Sequence, residues 1–274
     1  MNMDVSELKN LKWDLVPREF VIVDVETTGL DSDKDRILEI GAVHFEKSDY
    51  LKTGEVNSFQ VFIKQDKPIP SDATAINNIT DEMVAEGDYE YVALQKFIDF
   101  IGDKQLFAYN AKFDRGFLRN ALERNNVNHN RHAFTIQDIY AQAKKYIHGL
   151  PNRKLETIAT KTGWRGGVAH RAVNDCAMAL HVFIYIKNLE YSIKLEAAKE
   201  ANLTLKEFEK YTELSNKHLD YQESSSVAVQ SAPKLASDYD YPSTHTDTLA
   251  FPQISRQIMM STLKWRKQMQ AVLL

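Results

Sequence analysis

Residues 20–30 read FVIVDVETTGL and place two carboxylates, Asp24 and Glu26, inside an apolar run. The β-branched and aromatic residues of this run are typical of a central strand, and the threonines and glycine after it end the strand. Because alternate side chains of a strand share a face, Asp24 and Glu26 point the same way. Desolvating a carboxylate is costly unless a positive charge meets it. The pair therefore predicts a platform for a cation.

The composition predicts a globular chain without disulfides. The 274 residues are 43% hydrophobic and 26% charged, and Cys176 is the single cysteine, which fits a reducing cytoplasm. The sequence holds no apolar run of the length that a membrane span needs, and its charged first residues do not resemble a signal peptide. A net charge of −4 argues against a broadly basic nucleic-acid binder, but it leaves room for a cleft that carries metal ions.

The order of periodic segments predicts an α/β fold. Three β-rich runs, 21–26, 37–45 and 59–64, predict an opening meander. The elements expected after it are helices over 72–85 and 91–101, a strand over 105–111, and helices over 113–125, 136–147, 154–162 and 172–186. This order predicts a mixed β-sheet flanked by helices.

The composition changes along the chain and predicts five regions. Residues 222–251 are rich in Ser, Pro, Thr and Asp, as linkers are, and the segment after them has an apolar helical face. The predicted regions are an N-terminal segment (1–17), a main domain (18–190), a helical extension (191–221), a flexible linker (222–251) and an amphipathic C-terminal helix (252–274).

Two further acids complete a candidate metal site. Asp114 ends the run YNAKFD, where a helix follows a strand, and Asp175 lies in HRAVNDC, within the helix that closes the main domain. Hard cations such as Mg²⁺ or Mn²⁺ take oxygen ligands, and two such ions activate a water and stabilise the leaving oxygen in phosphodiester cleavage. We therefore expect two divalent cations, held by carboxylates from distant parts of the chain.

The runs DVETTG (24–29), YNAKFD (109–114) and HRAVND (170–175) resemble the three ordered motifs of the DEDDh, or DnaQ-like, 3′–5′ exonucleases. This family includes the proofreading exonucleases of bacterial DNA polymerase III. The segments IPSDATAINNITDEM and RKLETIATKTG are similar to family segments that lie between the motifs. The resemblance covers roughly residues 18–187 and implies a ribonuclease H-like fold.

The resemblance implies a role for five residues. Asp24, Glu26, Asp114 and Asp175 match the metal-binding carboxylates, and His170 matches the general base that takes a proton from the attacking water. On one continuous helix His170 and Asp175 would lie about 140° apart, so we expect His170 to precede the helix. The glycines of the preceding run GWRGGVAH predict a mobile loop that brings His170 to the site.

The resemblance also implies contacts with the terminal nucleotide. The residues that match substrate-contacting positions are Thr27, Gly29, Leu30, Ile79, Tyr109 and Phe113. Two departures from the family pattern bear on these contacts. Tyr109 stands where the family often has His, and Asn77 and Asn78 replace the His-Gly pair of the family's IHGIT segment.

The C-terminal tail suggests partners. TDTLAF (246–251) is similar to the hexapeptide that binds the sliding clamp, with Leu249 and Phe251 as anchors. The terminal helix, with Ile258 and Trp265 on its apolar face, is expected to dock in a groove of a DNA polymerase subunit. Folding back on the main domain and lying on an anionic membrane surface are the alternatives.

These observations favour an enzyme that releases nucleoside 5′-monophosphates from single-stranded or frayed DNA 3′ ends, in proofreading or end processing. One alternative is an RNA 3′-trimming exonuclease, because the same carboxylates serve both sugars. A second is a catalytically weak module that binds 3′ ends or recruits a partner.

Overall fold

The computed structural model of the chain describes residues 10–127, 135–167, 170–210 and 212–213. These residues fall into two compact units that divide between Asn188 and Leu189. The predicted linker and terminal helix, with Leu249, Phe251, Ile258 and Trp265, lie outside the described residues. Within the described part of the chain, no helix is long and apolar enough to cross a membrane.

The first unit is built on a five-stranded mixed sheet with the order β3-β2-β1-β4-β5. The strands are β1 (Glu19–Thr27), β2 (Ile37–Glu46), β3 (Asn57–Phe62), β4 (Leu106–Ala108) and β5 (Ile136–Asp138). β1, β2 and β3 pair antiparallel in sequence order, whereas β4 pairs parallel with both β1 and β5. The predicted meander and mixed sheet are therefore confirmed.

Helices cover both faces of this sheet. They are α1 (Lys47–Thr53), α2 (Ser71–Asn77), α3 (Asp81–Ala85), α4 (Glu90–Ile101), α5 (Ala111–Arg124), α6 (Ile139–Tyr146), α7 (Leu155–Lys161) and α8 (Ala172–Glu200). The last residues of α8 belong to the second unit, where Phe208 packs on Ala197 and Ala198.

The alternation of β1 assigns its residues to two separate cores. Phe20 and Ile22 lie in the cluster that includes α8, and the rings of Phe20 and Phe183 are 5.2 Å apart. Val23 and Val25 lie in the opposite cluster, with residues of α4 and α5. The acids of β1 continue the Phe20 and Ile22 face, so the sheet directs them towards the start of α8.

Two helix predictions were wrong in their boundaries. The run 136–147 was predicted as one helix, but Ile136 begins strand β5, and Asp138 then accepts a hydrogen bond from the amide of Ala141 (3.1 Å) and caps α6. The backbone of β5 pairs with the edge of β4, and this long-range pairing overrides the local helical spacing. The run 72–85 forms two short helices because Asn78 adopts a left-handed conformation (φ 56°) and ends α2.

Candidate active site

Strand β1 presents two carboxylates on the face that meets α8. Ligand oxygens of Asp24, Glu26 and Asp175 all lie within 4.8 Å of one another. Asp24 and Glu26 come from one strand, and Asp175 lies in the first turn of α8. The fold therefore brings together three of the four acids predicted to bind metal, across about 150 residues of sequence.

Asp114 borders this group of three acids rather than belonging to it. It is buried in the first turn of α5, and its Oδ1 accepts a hydrogen bond from the amide of Val25 (3.2 Å). The bond ties α5 to the β1 backbone between Asp24 and Glu26. Asp114 does not cap its helix, because α5 begins at Ala111 and the cap position is Asn110. Its place beside Asp24 suits a fourth ligand.

Asp175 offers one oxygen that fits a cation. Its Oδ2 accepts a hydrogen bond from the amide of His170 (3.2 Å), whereas Oδ1 is buried and has no hydrogen-bond partner among the described residues. Buried polar atoms normally find a partner. A carboxylate oxygen that lacks one and lies beside two further acids matches the donor set of a hard divalent cation.

Burial raises the pKa of all four carboxyl groups, and neighbouring negative charges raise it further. Burial is the largest cause in each case, and it raises the pKa of Glu26 to about 8. For Asp24, the charges of Asp114 and Asp175 raise the pKa further. For Asp175, the hydrogen bond and the charge of His170 act in the opposite direction and lower the pKa. A cation would relieve this repulsion, so the electrostatics fit a metal site.

His170 precedes α8, which begins two residues later at Ala172, as its spacing from Asp175 predicted. It is exposed and has a left-handed backbone (φ 68°), which is uncommon for a residue other than glycine. The predicted mobility of the preceding loop stays a prediction, and residues 168–169 of that loop lie outside the described residues.

The turn after β1 presents an apolar side chain to solvent. Thr27 Oγ1 donates a hydrogen bond to the carbonyl of Gly29 (2.6 Å), and the side chain of Leu30 is 85% exposed. A Cβ atom on Gly29 would lie 2.6 Å from Cγ of Asp35, so a side chain there would displace the Asp35 carboxylate, which accepts a hydrogen bond from the amide of Asp31 (2.9 Å). Thr27, Gly29 and Leu30 thus form a tight turn that ends in an exposed leucine, four residues after Glu26.

Three other predicted substrate contacts lie deeper in the fold. Ile79 is fully buried in a small cluster with Leu38 and Val84, and its contact with a substrate stays a prediction. Tyr109 is nearly buried and donates a hydrogen bond to the carbonyl of Arg153 (2.6 Å). Phe113 is half-buried and packs against Phe117, with ring centres 4.9 Å apart. Packing accounts for each of these positions.

The Asn77–Asn78 pair, which departs from the family pattern, has a structural role. Asn77 is buried, its Nδ2 donates to the carbonyl of Thr27 (3.3 Å), and its Oδ1 accepts from the amide of Ile79 (3.0 Å). Asn78 supplies the left-handed residue that ends α2. The pair therefore ties the α2 segment to the end of β1, beside the acids.

Sequence reasoning missed one buried acid at the site. Glu39 on β2 is fully buried, lies opposite Glu26 in the strand register, and forms an ion pair with Arg171 (3.3 Å). The signal was present, since Glu39 interrupts an apolar strand just as Asp24 does. Its pairing with a residue 132 positions away could not be seen in the sequence.

Comparison with known proteins identifies a family to which this chain is similar. The model of the RNase_T family, described as exonuclease, matches residues 21–183. DNA polymerase III subunit epsilon of Treponema pallidum is 34% identical over 169 residues, which cover 60% of this chain and 74% of that protein. DNA polymerase III PolC-type of Caldanaerobacter subterraneus subsp. tengcongensis is 30% identical over 191 residues, or 70% of this chain, but the chain spans only 13% of that protein.

Solved structures agree on the fold. Exonuclease I of E. coli, in complex with a dT13 oligonucleotide, superposes with a TM-score of 0.54 at 20% identity. The match covers 66% of this chain and 44% of exonuclease I, and it supports the ribonuclease H-like fold alone. With the family model spanning all three motifs, the chain belongs to the RNase_T exonuclease family, and the DnaQ-like resemblance drawn from those motifs is confirmed.

Proposed function

We propose that this chain is a divalent-metal-dependent 3′–5′ exonuclease that releases nucleoside 5′-monophosphates from DNA 3′ ends. The observation that carries the proposal is the convergence of Asp24, Glu26 and Asp175, whose oxygens lie within 4.8 Å of one another. Asp114 lies beside them, on the backbone of β1. Four acids grouped in this way without a metal would repel one another and destabilise the fold, whereas two divalent ions would neutralise their charge.

In this proposal the carboxylates of Asp24, Glu26, Asp114 and Asp175 hold two Mg²⁺ or Mn²⁺ ions. Such ions, when bound, lower the pKa of a water and neutralise charge on a scissile phosphate. The protein supplies the rest. The fixed strand and the two helix starts hold the oxygens in place.

His170 takes the proton of the attacking water in this scheme. Histidine is the side chain best suited to exchange protons near neutral pH. The hydrogen bond that its backbone amide donates to Asp175 Oδ2 keeps the residue at the edge of the acidic group, while its exposed position leaves the ring access to substrate. The exposed Leu30 and the Thr27–Gly29 turn would contact the terminal nucleotide.

We propose that this chain acts together with a DNA polymerase. Two relatives carry the names of DNA polymerase III proteins, and the tail from residue 246 to 274 holds the segments predicted to bind a polymerase subunit or the sliding clamp. A peptide covering 246–274 should retain a polymerase or clamp in a pull-down experiment. If neither is retained, recruitment through the tail is refuted.

A nuclease assay tests the proposed reaction. Purified protein with Mg²⁺ or Mn²⁺ should shorten 5′-labelled single-stranded DNA stepwise and release nucleoside monophosphates, and a mismatched primer end should be shortened faster than a matched one. EDTA and Asp24→Asn should abolish cleavage, whereas Asp99→Asn, an exposed acid on α4, should not. Cleavage of RNA in preference to DNA, or binding of 3′ ends without cleavage, would overturn the proposal in favour of a trimming enzyme or a binding module.

A further inference from the structure

Glu39 is a buried acid that the proposed reaction does not use. It lies directly opposite Glu26 in the pairing of β1 with β2, and its side chain is fully buried. Like charges on directly opposed residues of two strands are unfavourable. The charge of Glu39 also contributes to the raised pKa of Asp24 and of Glu26. A carboxylate in this position therefore needs a compensating contact.

Hydrogen-bond donors meet both oxygens of Glu39. Arg171 approaches with two nitrogens, Nε at 3.4 Å from Oε2 and Nη2 at 3.3 Å from Oε1. The amide of Ala172, the first residue of α8, lies 3.4 Å from Oε2. Gln60 on the neighbouring strand β3 donates to Oε1. Because its oxygens are already engaged, Glu39 differs from Asp175, whose Oδ1 has no partner among the described residues.

The start of α8 also touches β2 at a second point. A Cβ atom on Gly41 would lie 2.5 Å from the amide nitrogen of Val173 and 2.6 Å from Cβ of Ala172. Cys176 Sγ lies 3.4 Å from the carbonyl of Gly41. The contacts of Glu39 and Gly41 therefore hold the first turn of α8 against strand β2.

Arg171 connects this contact between β2 and α8 to the proposed catalytic groups. Its side chain contacts Glu39, and its carbonyl accepts the amide of Asp175 (2.9 Å). The amide of the preceding His170 donates in turn to Asp175 Oδ2 (3.2 Å). A shift of Arg171 would therefore move both Asp175 and His170 relative to the acids of β1.

We propose that Glu39 is a positioning residue for the exonuclease reaction, acting through Arg171 and the first residue of α8 to hold Asp175 and His170 against Asp24 and Glu26. The inference rests on the proposed function. Residues that orient metal ligands through hydrogen bonds typically change metal affinity or activity 10- to 100-fold when they are replaced. Glu39 acts in this way and does not itself touch substrate.

The test compares Glu39→Gln with Glu90→Gln in the full chain. Glu90 forms a comparable partly buried pair with Arg124 (2.9 Å between Oε2 and Nε), between α4 and α5. Both substitutions remove one charge from a Glu–Arg pair and should lower the melting temperature. We expect Glu39→Gln to lower kcat on single-stranded DNA by about 10- to 100-fold with KM within about 2-fold, whereas Glu90→Gln keeps both values.

Mn²⁺ affinity, measured by electron paramagnetic resonance, gives a readout that does not depend on cleavage. Glu39→Gln should weaken Mn²⁺ binding by about 10-fold relative to Glu90→Gln. Arg171→Gln should reproduce both effects, and the double variant Glu39→Gln/Arg171→Gln should add little to either single change, because both act through one contact. Additive losses would overturn the positioning role.

The two proposals fail in different ways. If the wild-type chain does not cleave DNA, the proposed function fails, while the Mn²⁺ comparison still tests the positioning role. If the wild-type chain cleaves DNA and Glu39→Gln matches Glu90→Gln in kcat and in Mn²⁺ affinity, Glu39 serves stability alone and the inference is refuted.

Discussion

The amide of Val25 donates a hydrogen bond of 3.2 Å to Oδ1 of Asp114, and so joins two residues that are 89 positions apart. The donor lies between the two acids of β1, and the acceptor lies in the first turn of α5. This bond lowers the pKa of Asp114, against the larger effect of burial, which raises it. It holds a fourth carboxylate at the edge of the acidic group even when no ion is bound.

Asp114→Asn should separate stability from activity. The asparagine oxygen can still accept the Val25 hydrogen bond, but the negative charge beside Asp24 is lost, so the melting temperature in EDTA should rise. Activity should fall by about 100-fold or more, because a metal ligand has been replaced. Thermal melts in EDTA and in Mn²⁺ check both statements. Asp114→Ala, which loses the bond as well, should be less stable than Asp114→Asn; equal stability would contradict the role of this bond.

The metal-free protein should lose stability as the pH rises. Burial raises the pKa of Glu26 from 4.5 to about 8 and that of Asp24 also upward, so the folded state binds more protons than the unfolded state in this range. The stabilisation is fully present below about pH 4.5 and is lost as the pH rises through about 8. Urea unfolding in EDTA at several pH values between these limits measures the slope.

Divalent cations should reverse this pH dependence. Mn²⁺ binds the ionised carboxylates, so its stabilising effect should grow as the pH rises. Glu26→Gln removes a carboxyl group whose pKa is raised to about 8 and should flatten the slope measured in EDTA. A metal-free protein that gains stability between about pH 5 and about pH 8 would show that the fold does not raise the pKa values of these acids.

His170→Ala should remove catalysis and leave metal binding in place. Loss of a general base typically lowers kcat by about 100- to 10,000-fold. The amide that bonds Asp175 belongs to the backbone and is retained, so stabilisation by Mn²⁺ should persist. Steady-state kinetics and thermal melts check this prediction. His148→Ala, outside the acidic group, serves as the control and should keep wild-type kcat. A similar kcat for both variants would exclude His170 as the base.

Gly41→Ala should move α8 off the strand. The added Cβ would meet the backbone of Val173 at 2.5 Å, and backbone cannot rotate away as the end of a side chain can. We expect lower stability together with weaker Mn²⁺ binding. Gly116→Ala is the matched control, because its Cβ would meet only the side chain of Ser32, at 3.2 Å from Oγ, and the substitution favours the helix. Titration with Mn²⁺ distinguishes the two variants. Equal affinity would show that the metal site does not require the close contact between Gly41 and α8.

Leu30→Ala should weaken substrate binding without affecting the fold. The side chain is 85% exposed, so its removal should change the free energy of unfolding by less than about 0.5 kcal/mol. KM for single-stranded DNA should rise, since an apolar contact with the terminal base is lost. Tyr91→Ala, another exposed apolar side chain at 53%, should leave KM unchanged. If KM is unchanged in Leu30→Ala as well, this residue does not contact the nucleotide.

The parts of the site that lie within single elements could be predicted from the sequence. The alternation of β1 placed Asp24 and Glu26 on one face, and the five-residue spacing placed His170 ahead of α8. Both conclusions depend on local periodicity. The order of the first three strands follows from the same kind of signal.

The grouping of acids from distant segments followed from the family resemblance, but other contacts between distant segments could not be predicted. β5 forms because Ile136–Asp138 pairs with the edge of β4, and nothing in the local sequence distinguishes it from the first turn of a helix. Glu39 looked like one polar residue in a strand, because its partner Arg171 is 132 positions away. Ile79 is buried because it packs in one cluster with Leu38, which comes from a different part of the sequence.

The order of the acids along the chain has a consequence for protein synthesis. A ribosome makes residues 24, 26 and 114 long before residue 175, and the amide partner of Asp175 Oδ2 lies only five residues earlier. A nascent chain that has not yet added α8 therefore lacks Asp175, and one that ends before residue 170 lacks the candidate base as well. We expect every truncated product that stops before this helix to be inert towards nucleic acid, so that incomplete translation releases no stray nuclease into the cell.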